Sequence, residues 1–175
     1  MSDESNDAVV PGSGTTSSNH ESNGTLSENP KDLAYDVVML RARCSNLRHW
    51  CRLMLEDPAA TGVLPEATVT DLLWTTPEVS EPEGQVVVAL LARGGNIPPN
   101  HPLAPSASDA VSLKTAVSQL SAERERLRQA FFTLYDHLHP DDDLTEEYFL
   151  ELISQGPGRS ISELIADFER EGVHP

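Results

Sequence analysis

Cys44, His49 and Cys51 lie within one short stretch, and thiolate and imidazole are the common protein ligands of zinc. A structural zinc takes four ligands, often with a Cys-x-x-Cys pair. This stretch has three candidates and no such pair. On a helix, both cysteines fall on one apolar face and His49 falls off it, so the thiols are expected to pack as small buried side chains. Seven residues of helix also set them about 10 Å apart, too far for a disulfide.

A second set of donors is His137 and His139, followed by Asp141, Asp142 and Asp143. The aspartates lack the alternating oxygens, central glycine and closing glutamate of a calcium loop. An acidic run of this kind instead favours the start of a following helix. Gly94-Gly95 and Gly156-Pro157-Gly158 lack the lysine, or the strand-to-helix glycine pattern, of a phosphate loop. There is no Gly-x-Ser-x-Gly elbow. No catalytic residue, metal or cofactor is therefore expected, and function is expected to rest on contact.

Two segments carry the strongest pattern. Leu33, Val37, Leu40, Cys44, Leu47, Cys51 and Met54 alternate at spacings of four and three. Leu113, Val117, Leu120, Arg124, Leu127, Phe131, Leu134 and Leu138 do the same. Both are a/d seams of the coiled-coil type. Val38, Trp50 and Leu55 widen the first stripe, as expected of a helix with more than one neighbour. Arg124 interrupts the second seam. An arginine there costs desolvation unless it reaches water or an acid, and polar seam residues can set register or partner choice. In a parallel dimer, Glu123 and Arg128 would form a flanking pair.

These seams divide the chain. Residues 1–32 are rich in serine, asparagine, glycine and acids, and are expected to be a disordered tail. Residues 33–56 form the first heptad helix. Residues 57–108 are an irregular, proline-rich excursion with one short helix at 65–74, where Val69, Leu72 and Leu73 share a face and Trp74 is an anchor candidate. Three valines favour a short strand over 86–92, although the run is too short for periodicity to decide. Residues 109–139 form the second heptad helix, with Asp109 or Ser112 as cap. Residues 140–175 are acidic and helical in two pieces. Asp143 with Glu146 opens one piece, and Ser160 with Glu163 opens the other, Ile161 to Glu171. The fold expected is mainly α: a helical hairpin, antiparallel if the two seams fold back on each other, or a coiled-coil-like bundle.

The net charge of −16, from 28 acids against 12 lysines and arginines, opposes contact with phosphate backbones or anionic membranes. It is also segregated. Residues 1–32 hold six acids and one lysine, and residues 140–175 hold ten acids and two arginines. Arg41, Arg43, Arg48 and Arg52 make the first heptad helix a basic exception. The start of the chain has no basic, apolar leader, and no apolar run approaches the roughly 20 residues that span a bilayer, so an intracellular protein is expected.

The function expected is a non-catalytic helical subunit or adaptor of a multiprotein complex. Its partners would be other helical protein chains, in an obligate hetero-oligomer or in a homodimer that binds a regulatory client. An enzyme with an unrecognised site is the alternative from another class. The interface candidates are Leu40, Leu47, Trp50, Met54, Leu120, Arg124, Leu127, Phe131 and Leu134.

Overall fold

A computed structural model of the chain describes residues 26–74, 77–142 and 144–154, with side chains as far as residue 151. The tail over residues 1–25 and the last helix expected at Ile161 to Glu171 lie outside the described residues. Within them are five α-helices, one 3-10 turn and no strand. They are α1 Pro30–Leu55, the turn Pro58–Ala60, α2 Glu66–Leu73, α3 Glu81–Ala92, α4 Ala110–Leu138 and α5 Glu146–Ser154.

The start of α1 is set by polar groups ahead of its apolar seam. The Asn29 side chain accepts from the Lys31 N–H, Pro30 sits in the first turn, and Asp32 complements the positive helix end. The helix therefore begins before residue 33. Asp57 caps the 3-10 turn. The Asp109 carboxylate accepts the Ser112 N–H and opens α4. Thr145 caps α5, its hydroxyl accepting from the Tyr148 N–H. The capping role expected of Asp143 lies outside the described residues.

Residues 86–92 are helical, which corrects the strand expected there. Ser80 accepts the Glu83 N–H, Pro82 lies in the first turn, and Glu81 and Glu83 add negative charge at the positive end. At the far end, the Gly95 N–H reaches the Leu90 carbonyl and the Gly94 N–H reaches that of Leu91. Gly94 has φ +81. This is a Schellman stop, which glycine permits at little steric cost. Caps at both ends and burial of Val87 and Leu90 outweigh the modest β preference of valine.

The antiparallel hairpin is also corrected, because α1 and α4 run parallel. Leu33 and Val37 cluster with Leu113 and Val117 at one end, and Cys51 clusters with Leu127 and Phe131 further along. The Cys44 thiol faces the Leu120 carbonyl at 3.6 Å and the Cys51 thiol faces the Leu127 carbonyl at 3.8 Å, keeping one register. The helices have 26 and 29 residues, about 39 and 44 Å of length. The chain must therefore travel back before α4 can begin, and α3 makes that return. It lies antiparallel to α1, with Arg43 bonded to Glu81 at one end and the Lys31 ammonium at the Ala92 carbonyl at the other. Gly84 lets the two backbones approach, since a Cβ there would sit 2.9 Å from the Ala42 Cβ.

The arginines of α1 hold the returning chain. Arg41 donates to the Ala104 carbonyl and the Ser106 hydroxyl. Arg48 donates to the Asp71 carbonyl and pairs with Asp71 and Glu123. Arg52 reaches the Leu72 and Trp74 carbonyls and pairs with Glu78. The basic face of α1 is thus occupied within the chain. On α5, Phe149 is buried, with its ring 5.1 Å from Phe131 and 4.9 Å from Phe132.

Candidate protein-interaction site

The structure gathers most of the seam candidates inside one chain. Leu40, Leu47, Leu127, Phe131 and Leu134 are buried, the last two completely. Trp50 and Met54 pack against the larger core cluster, and Leu120 against the cluster at the helix N-termini. Each side chain already has an apolar neighbour on α1 or α4. Contact between another chain and the buried members of these seams would require the two helices to part, whereas Trp50, Met54, Leu120 and Arg124 keep part of their surface in water.

Arg124 is half-buried and close enough to Cys44 for its charge to favour the thiolate. Burial dominates nonetheless, and pushes the Cys44 thiol up to about 12. Burial does the same to Cys51, also to about 12. These are packed, unreactive thiols. The pair considered for a parallel dimer is divided within the chain. Glu123 is 2.7 Å from Arg48, and Arg128 is 2.7 Å from Glu146 while lying over the Phe132 and Phe149 rings. Arg126 joins Asp71 at 2.9 Å, so Arg48, Asp71, Arg126 and Glu123 tie α1, α2 and α4 together. Burial pulls the Arg48 pKa down, and the bond to Glu123 with the charge of Asp71 more than reverses this.

The histidines take separate places. His49 lies 3.4 Å from Glu78. His137 meets the Ala59 carbonyl at 3.1 Å, and His139 ends α4 with its ring beside Tyr135. Neither sequence cluster assembles three candidate metal ligands among the described residues. An open groove of about 530 Å³ runs along α4, lined by Glu125, Arg128, Gln129, Phe132, Thr133 and Asp136. Its lining residues all come from one face of α4.

The anchor candidate Trp74 stands at the exposed end of α2. Leu72 is fully buried, while Leu73 is 57% exposed and Trp74 is 70% exposed. Leu73 had been expected on the same face as Leu72, yet adjacent helical residues point about 100° apart. The backbone beneath is held on both sides. The Trp74 N–H donates to the Asp71 carbonyl, and Arg52 donates to the carbonyls of Leu72 and Trp74. The result is a fixed apolar step with its side chains in water. Tyr148 and Leu150 are also exposed, on different sides of α5.

Comparison with family models, with curated proteins and with solved structures finds no match to this chain. None of the described helices is long and apolar enough to cross a membrane.

Proposed function

We propose that the protein is a non-catalytic helical adaptor that docks other protein chains on its outer surface, with the Leu73–Trp74 step as the principal contact. The carrying observation is the 70% exposure of Trp74 above a backbone fixed by Arg52. Tryptophan is enriched among the residues that dominate binding energy, and a held backbone reduces the entropy lost on docking. Coiled-coil-type packing belongs to this reading as internal scaffolding: the α1 and α4 seams supply the rigid core from which the step projects.

The test is site-specific photo-cross-linking in the native cell. A cross-linker replaces Trp74 in one variant and Gln85, exposed on α3, in another. Discrete adducts from position 74, lost when Leu73→Ala is added, support the reading. Equal adduct yields from both positions overturn it.

A second reading is a homodimer that exchanges α4 between copies. It is favoured by the α1–α4 seam being the most extensive helix–helix contact among the described residues, one that α4 of another copy would reproduce on the same α1 face. Light scattering on the eluting protein distinguishes them: a dimer that persists on dilution supports exchange, and a monomer supports the adaptor acting alone.

A further inference from the structure

The segment joining α3 to α4 does not take a direct path. Near its middle, His101 faces Glu83, in the first turn of α3, with Nε2 3.6 Å from Oε1. Leu103 is fully buried against Val38, Ala42, Val79 and Val87. Arg41 then holds Ala104 and Ser106. Residues 96–107 are thus a strap laid over the α1–α3 junction, with Leu103 as its plug.

His101 holds this strap through Nδ1, while its Nε2 faces Glu83 from just beyond hydrogen-bond distance. Its Nδ1 accepts the Leu103 N–H at 3.2 Å, so Nδ1 carries no proton and the ring proton sits on Nε2, toward Glu83. Only the neutral ring can do this. A proton taken from solvent at Nδ1 would set one N–H against another. Glu83, whose side chain is 2% exposed, attracts the resulting imidazolium and keeps the ring.

We propose that His101 is an acid-sensitive latch on this strap: protonation keeps the ring at Glu83 and releases the Leu103 amide, loosening the plug. His101 is the one titratable side chain between residues 94 and 108. Around it, α1 contributes Arg41 and Arg43, and α3 contributes Glu81 and Glu83. Glu78, beside the buried Val79, is engaged by Arg52 and His49. Arg43 holds Glu81 directly.

The test is amide exchange of Leu103 in the full chain, expressed as protection relative to the intrinsic rate, from about pH 8 to pH 5, where imidazoles change charge. Loss of one neutral hydrogen bond predicts a fall in protection of about fivefold in the native protein. The protection of His101→Gln, which cannot titrate, stays level. A level profile in the native protein overturns the proposal, as does an equal fall in the variant. Nitrogen NMR of the native imidazole gives a separate check that needs no variant. A proton on Nε2 at pH 8 is expected, and one on Nδ1 overturns the latch.

Discussion

Gly84→Ala sets two effects against each other. In a helix interior, alanine is favoured over glycine by about 1 kcal/mol. Gly84 lies in α3, so propensity alone predicts a more stable protein. The new Cβ, however, would meet the Ala42 Cβ at 2.9 Å and the Met39 Sδ at 3.2 Å. The thioether can swing aside. The Ala42 Cβ is fixed to the α1 backbone and fully buried, so α3 itself must move. That shift strains Val87 and the Arg43–Glu81 pair. Overpacking of this kind costs roughly 1–3 kcal/mol, so the expected net loss is about 1 kcal/mol. Urea denaturation followed by circular dichroism would show a midpoint about 0.5 M lower, taking a slope near 2 kcal/mol/M. Adding Ala42→Gly moves the methyl from one helix to the other and recovers most of the loss. A stabilised Gly84→Ala protein would refute the close approach of α1 and α3. So would a double variant no more stable than the two single changes summed.

Three further outcomes are expected. Phe131→Ala removes the centre of the largest core cluster and lowers stability by about 3–5 kcal/mol, measurable by denaturant titration. Trp74→Ala changes stability by no more than about 0.5 kcal/mol, and Trp74→Phe removes the more acrylamide-accessible part of the tryptophan fluorescence, leaving that of the partly buried Trp50. The buried thiols make the fold sensitive to alkali. Burial raises both thiols to about 12, while an unfolded chain ionises them near about 8.5–9, so their contribution is complete below about pH 9 and disappears as pH climbs towards 12. Comparing unfolding of the native protein with Cys44→Ala/Cys51→Ala across that range checks this, and the variant's stability should fall less steeply with pH.

The sequence disclosed what depends on local spacing. The seams of α1 and α4 were legible because apolar side chains at alternating threes and fours define one helical stripe. Their relative direction was not, because a stripe of Leu33, Val37 and Leu40 reads the same beside a parallel or an antiparallel neighbour. The helix over 86–92 was obscured by its valines, while Ser80 with Glu83 before it and Gly94-Gly95 after it carried the helical signal in its caps. The partners of the arginines were beyond spacing altogether: Arg48 meets Glu123, which is 75 residues away along the chain. Trp74 was visible as an anchor candidate, but its exposure depends on where α2 stops and on Arg52 holding the backbone beyond it.

The parallel pairing of α1 and α4 has a consequence for synthesis. A ribosome adds about 5–20 residues each second. The facing positions of the two helices, such as Leu33 and Leu113, are some 80 residues apart. The first seam therefore leaves the ribosome roughly 4–16 seconds before its counterpart is made. Throughout that interval Leu33, Val37, Leu40 and Leu47 lack the surface that covers them in the finished protein. Shielding of the nascent chain by a chaperone over that window would protect yield, and slowing translation between residues 56 and 109 would lower it.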